Sequence, residues 1–136
     1  MSKPLAVVRS LDHLVLTCAS IPKTIQWYSK FLAMKPETFT TSSDPSVQRH
    51  ALKFGTQKIN LHQKGREFEP KAQTALPGTA DLCFLIEEDS SLENLVEGFQ
   101  KDGVEVLEGK QVVNRTGANG PIRSVYVRDP DGNLIE

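Results

Sequence analysis

The chain has little that would carry it to a membrane or a nucleic acid. Its longest apolar stretches, such as Leu82–Ile86, fall far short of the ~20 residues needed to cross a bilayer. Lys and Arg number 16 against 17 Asp and Glu, a formal charge of −1, and no segment gathers five or more basic residues. Phosphate backbones and anionic membrane surfaces therefore meet no electrostatic footprint. The two cysteines, Cys18 and Cys83, make no disulfide framework. The amino terminus has no long apolar core followed by a small-residue cleavage site, so it does not read as a secretory signal. These absences point to an intracellular, cytoplasmic protein with neither nucleic acid nor membrane as a partner. In that compartment Asn114-Arg115-Thr116 reads as a loop and not as a glycosylation site.

The 136 residues, 38% of them apolar and 24% charged with both signs interleaved, match an ordinary folded chain that buries one core. From Ser10 to Cys18 the alternation of Leu11, His13, Val15 and Thr17 against Leu14, Leu16 and Cys18 predicts a strand. Ser20 suits an N-cap and Pro22 a first turn. Ile25, Tyr28, Phe31 and Leu32 recur at helical spacing, predicting a helix over 21–32 that Pro36 keeps from extending. Strands follow near 37–41, 47–54 and 58–63, with turns at Ser42–Pro45 and Gly55. Residues 64–78 are poor in apolar side chains and read as a surface connector.

The same order then restarts. A strand is expected over 79–86, and a helix capped by Asp89 or Ser90 with Leu92, Leu95, Val96 and Phe99 on one stripe, ending at Gly103. Strands are expected from Val104, over 122–128 and over 134–136. Asp129-Pro130-Asp131-Gly132 forms a type I turn between the last two. The organisation is thus a short extension (1–9) and one α+β domain (10–136) of two fused βαβββ modules, 10–63 and 79–136, joined by the connector.

The repeat singles out four side chains. His13 and Asp81 fall at matching places in the first strand of each module, and His62 and Glu136 in the last. His13 and His62 are 49 residues apart, Asp81 and Glu136 55, the surplus fitting a longer loop near Arg115–Pro121. A single histidine on a strand is more often a core or surface residue than a ligand. Repetition at equivalent positions raises the case for a divalent metal, and imidazole with carboxylate suits Zn, Fe, Ni or Mn. Strand parity sets Ser124, Tyr126 and Arg128 on one face as pocket candidates, with Arg128 equally able to serve the turn. Asn60 shares a face with His62, and His50 lies on a neighbouring strand. The Gly117-Ala118-Asn119-Gly120 segment reads as a lid or turn, and Cys83, which shares a face with Asp81, as apolar filler.

Three stretches resemble the vicinal oxygen chelate superfamily, also called the glyoxalase, bleomycin-resistance and extradiol-dioxygenase family. They are Leu11-Asp12-His13-Leu14-Val15-Leu16, Trp27-Tyr28 with Phe31-Leu32, and Arg128-Asp129-Pro130-Asp131-Gly132-Asn133-Leu134-Ile135-Glu136. A closer likeness, to the subgroup called glyoxalase domain-containing protein five and its bacterial relatives, rests on Asn60-Leu61-His62, Phe68-Glu69-Pro70-Lys71 and Arg115-Thr116-Gly117-Ala118. The resemblance implies paired modules forming an open, cup-like mixed sheet around a metal held by His13, His62 and Glu136, and a homodimer whose modules pair within or between chains. It implies lyase, isomerase or dioxygenase chemistry on a small oxygen-rich molecule, with Glu136 as the catalytic carboxylate. Asp81 stands where glyoxalase I and the fosfomycin-resistance enzymes usually carry histidine, and is a ligand, a partner orienting one, or a solvated carboxylate. The alternative is a non-catalytic, drug-sequestering module of the bleomycin-resistance type.

Overall fold

The computed structural model describes residues 2–136. The chain divides into two compact units, the first reaching to Ala72 and the second spanning Gln73–Glu136.

In the first unit the order is β1 (His13–Cys18), α1 (Ile21–Leu32), β2 (Lys35–Thr41), β3 (Asp44–Phe54) and β4 (Gln57–Gln63). The sheet runs β1-β4-β3-β2, with β1 parallel to β4 and the hairpins antiparallel. The helix begins where expected, because the Ser20 hydroxyl accepts from the Lys23 amide at 3.4 Å and Pro22 gives up no needed donor. It stops at Ala33, which turns left-handed at φ 54°. The Gln63 side chain ties the end of β4 to the start of α1, donating to the Ala19 carbonyl at 2.8 Å and accepting from the Ile21 amide at 3.3 Å. One face of the sheet is the core: Leu16, Cys18, Leu52, Ile59 and Leu61, with Tyr28 from the helix, are all buried. Period-two alternation therefore turns His13, Asn60 and His62 to the opposite face.

In the second unit the order is β5 (Asp81–Leu82), α2 (Leu92–Lys101), β6 (Val113–Gly117), β7 (Gly120–Ser124), β8 (Val127–Arg128) and β9 (Leu134–Ile135). The strands form a β5-β9-β8 sheet and a β6-β7 hairpin. As in the first unit, the first strand runs parallel to the last, β5 beside β9. Mixed sheets with one helix per repeat make this an α+β protein. The helix cap is Ser91, one residue beyond the expected pair, accepting from the Asn94 amide at 3.2 Å.

Four expectations give way here, the first being the strand over 79–86, which shortens to Asp81–Leu82. The strand expected from Val104 is absent. Leu107–Lys110 instead makes one turn in which Glu108 (φ 55°, ψ 49°) and Gly109 are left-handed. The polar stretch read as a loop, including Asn114-Arg115-Thr116, is β6, paired through Arg115 with Ile122. Backbone pairing with β7 overrides the weak strand propensity of Asn and Gly there. The long strand over 122–128 is broken at Val125 and Tyr126, so β7 and β8 pair in different sheets.

The Asp129–Gly132 turn closes as expected, with the Gly132 amide donating to the Asp129 carbonyl at 3.0 Å. The Asp129 carboxylate reinforces it, accepting from the Asp131 and Asn133 amides at 2.9 Å each. Gly78 lies against this turn at φ 80°, and a β-carbon there would sit 2.5 Å from the Asp131 carbonyl oxygen. Only glycine permits that approach.

Candidate functional site

On the first unit, His13 opens β1 half-exposed, with Nδ1 2.7 Å from the Asp12 carboxylate. The parallel register pairs it with Lys58, and it is Thr17 that stands across from His62. His62 is thus four residues further along the shared face than His13, about 13 Å at ~3.3 Å per residue. Strand side chains stand roughly perpendicular to the sheet, and each imidazole must bring a nitrogen to within ~2.1 Å of an ion. Within this unit His13 and His62 are too far apart to hold one ion together.

Asn60 faces Val15 and lies one step along the same face from the residue opposite His13. Its Oδ1 is buried and has no hydrogen-bond partner. His50 leaves the set: β3 pairs it with Leu61, so it lies on the face of Leu61 and away from Asn60 and His62.

His62 is buried, edge-on to the Phe68 ring at 5.5 Å, while the Arg49 guanidinium lies 4.0 Å from the centre of that ring. Burial first and the Arg49 charge second push its imidazole below the ordinary histidine range. The folded protein therefore binds this proton less readily than the unfolded chain. The stability His62 contributes is complete above the ordinary value of 6.5 and drains away as pH falls toward the lowered one. In chelator-treated protein the urea midpoint is expected to drop between pH 8 and pH 5, and to drop less in His62→Gln. Equal drops in the two proteins would assign the proton uptake elsewhere.

On the second unit, parallel pairing seats Glu136 at the end of β9. Its amide donates to the Leu82 carbonyl and its carbonyl accepts from the Phe84 amide, both at 2.8 Å. The Ser124 hydroxyl donates to its carboxylate at 2.6 Å. Asp81 pairs with Leu134, which puts it one step along the same face from Glu136. The Cys83 thiol is pushed up, by burial first and then by the negative charge and hydrogen bond of Glu136. Burial and the hydrogen bond to Glu136 likewise raise the Tyr126 phenol, against a lowering from Arg115. Arg128 serves the turn, donating to the Gly132 carbonyl at 3.1 Å.

Asp81, Tyr126, Arg128 and Glu136 line an open cleft of about 340 Å³, with Glu108 and Arg115 added, whereas Ser124 lies buried behind Glu136 and is not part of its wall. The last two escape a reading of the sequence because the strand that carries Arg115 looks like a loop. Had 113–117 been read as a strand, the parity of Val113, Arg115 and Gly117 would have singled out the arginine. Among the described residues no group of three or more His, Cys, Asp or Glu side chains is gathered as a ready metal centre. None of the helices there is long and apolar enough to cross a membrane.

Residues 10–136 match the family described as the Glyoxalase/Bleomycin resistance protein/Dioxygenase superfamily. The chain is 54% identical over 129 residues to the glyoxalase domain-containing protein RDO1 of Mycosarcoma maydis, covering 95% of this chain and 67% of that protein. It is similar to the virulence protein STM3117 of Salmonella typhimurium, whose crystal structure superposes with a TM-score of 0.84 at 45% identity, covering 96% of this chain and 95% of that one. The fold alone is shared with the fosfomycin resistance protein FosX of Listeria monocytogenes, solved with Mn(II) and sulfate. There the TM-score is 0.59 at 15% identity, covering 95% and 90% of the two chains.

Proposed function

We propose, from the premise that the chain belongs to the Glyoxalase/Bleomycin resistance protein/Dioxygenase superfamily, that it binds a divalent metal and acts on a small oxygen-rich molecule. The observation that carries this is the buried, unpartnered Asn60 Oδ1 on the face and strand beside His13. A buried acceptor left unpaired costs ~1–3 kcal/mol, and a cation is one species that repays it. The donors fall into two half-sets, His13 with Asn60 on the first unit and Glu136 with Asp81 on the second. Imidazole, amide oxygen and carboxylate suit Zn, Fe, Ni or Mn, and the fold relative FosX was solved with Mn(II).

The bound metal supplies an electrophile that polarises the substrate's oxygens. The chain's own part is to hold Glu136 in place through Ser124 and through the β5 ladder, where the carboxylate can accept a proton from the substrate. Tyr126, in the same cleft, donates to a developing oxygen anion. A homodimer accords with the exposed apolar Leu11, Val15 and Leu85, each at least 45% accessible.

Elemental analysis of protein purified without chelator tests the reading. Stoichiometric metal is expected in the parent, with affinity at least about tenfold weaker in His13→Ala and Glu136→Gln, since even a ligand's supporting contacts are worth ~10-fold or more. His62→Ala is expected to keep its metal, since His62 lies four residues along the shared face from His13. A parent that takes up no metal under any loading condition ends this reading, and a monomeric mass by light scattering on the same samples removes the homodimer. The runner-up is a binding module without metal chemistry. It is supported by the open cleft of the second unit, which offers a small molecule both charged and aromatic side chains, and a metal-free parent that still holds a small ligand would establish it.

A further inference from the structure

The cleft of the second unit carries a carboxylate held where a ligand would otherwise sit. Arg115 projects from β6, with its guanidinium carbon 5.3 Å from the centre of the Tyr126 ring. A cation on an aromatic face is held in orientation as well as attracted. The Glu108 carboxylate approaches the same guanidinium at 3.5 Å.

That glutamate is delivered by unfavourable backbone. Glu108, Gly109 and Lys110 all have positive φ, at 55°, 80° and 60°, and two of the three are not glycine. Such residues persist only where the surroundings over-determine them, and they gather at ligand sites. One clamp is visible: the Leu107 amide donates to the Tyr126 carbonyl at 2.9 Å. The strained turn is thus pinned to the residue on which Arg115 stacks. Both members of the pair stay partly open to solvent, at 38% and 57% side-chain exposure, so an entering anion can reach Arg115 and displace Glu108. Arg115 donates through Nη1 to the Asn114 carbonyl at 2.8 Å, as Arg128 does to the Gly132 carbonyl at 3.1 Å, but its Nη2 meets the displaceable Glu108 carboxylate.

The geometry points to Arg115 as the residue that receives a carboxylate of the substrate, with Glu108 as an internal stand-in that the substrate replaces. The substrate class is then a small organic acid bearing vicinal oxygens, of a size that a cleft of about 340 Å³ admits. A guanidinium donates two parallel hydrogen bonds to such a carboxylate. This rests on the proposed function for the reaction, but not for the binding of the acid.

Glycolate, the smallest 2-hydroxy acid, is the probe, and ethylene glycol the uncharged control, titrated by calorimetry into metal-loaded and metal-stripped protein. Glycolate is expected to bind at least about tenfold more tightly than ethylene glycol. Arg115→Gln is expected to lose that advantage, and Arg115→Lys to recover part of it. Glu108→Gln, which removes the competing charge at constant size, is expected to tighten glycolate several-fold. Circular dichroism of each variant separates these effects from unfolding. Equal binding of the two probes, glycolate binding unchanged in Arg115→Gln, or no tightening in Glu108→Gln would each overturn the inference. Arg115-dependent glycolate binding by a protein that takes up no metal would support it while the metal reading fails. A metal-loaded parent that ignores glycolate would do the reverse.

Discussion

Asn133→Ala is expected to cost about 2–4 kcal/mol of stability, because it leaves buried hydrogen-bonding groups without a partner. Asn133 is 2% exposed. Its amide nitrogen donates to the Asp129 carboxylate at 2.7 Å, and its amide oxygen accepts from the Ala80 backbone at 2.9 Å. One side chain thus joins the Asp129–Gly132 turn to the residue that leads into β5. Truncation leaves the part-buried Ala80 amide without its partner and removes one donor from a buried carboxylate. The loss extends to the cleft, since the Leu134 amide donates to the same Ala80 at 3.0 Å and the β5–β9 ladder seats Glu136. Denaturant unfolding reads the first effect, and metal content or glycolate affinity the second. A variant within about 0.5 kcal/mol of the parent, the usual range for surface changes, would show that the turn holds without this link.

Leu52→Ala is expected to destabilise by about 2–5 kcal/mol, the cost of removing buried methyl groups and leaving a cavity that neighbours only partly fill. Leu52 is fully buried near the end of β3. It pairs with Ile59 on one side and Pro36 on the other, beneath the equally buried Tyr28. Urea unfolding followed by circular dichroism measures it, with Leu52→Met as a control expected to cost under about 1.5 kcal/mol. If both substitutions cost the same, shape would matter there and cavity volume would not. The side chain sits on the helix side of the sheet, so the spacing of His13, Asn60 and His62 on the other face should survive in whatever fraction stays folded.

Much of the architecture was legible because it depends on local rules. The bounds of α1 followed from Ser20, Pro22 and the apolar spacing over 25–32, since a cap, a first-turn proline and a 3.6-residue period act within a few residues of chain. The final turn followed from Asp-Pro-Asp-Gly for the same reason. The repeat was legible as a pattern of patterns, and the parallel pairing of first and last strands appears in both units. Strand β6 was not legible. Val113–Gly117 gains its structure from pairing with β7, and a partner strand is invisible in the local composition of Asn, Arg, Thr and Gly.

The candidate site divides along the same line. Period-two alternation alone set Asn60 and His62 on one face of β4, and the recurring strand-end positions drew attention to His13, Asp81 and Glu136. Alternation says which face a side chain occupies, but not which residue of the neighbouring strand stands opposite. That register is chosen by the packing of Leu16, Leu52, Ile59 and Leu61 against Tyr28. It sets Lys58 across from His13 and carries His62 about 13 Å further on at ~3.3 Å per residue, while His50 faces the core side with Leu61. Register likewise lifted Arg115 onto a strand edge beside Tyr126, and a left-handed turn that no propensity favours brought Glu108 to it. The sequence by itself determined the elements, their repetition and the residue types available for chemistry, because these follow from short-range sterics and periodicity. Which of those residues meet was decided by tertiary structure, because strand register is settled by core packing between segments far apart in the chain.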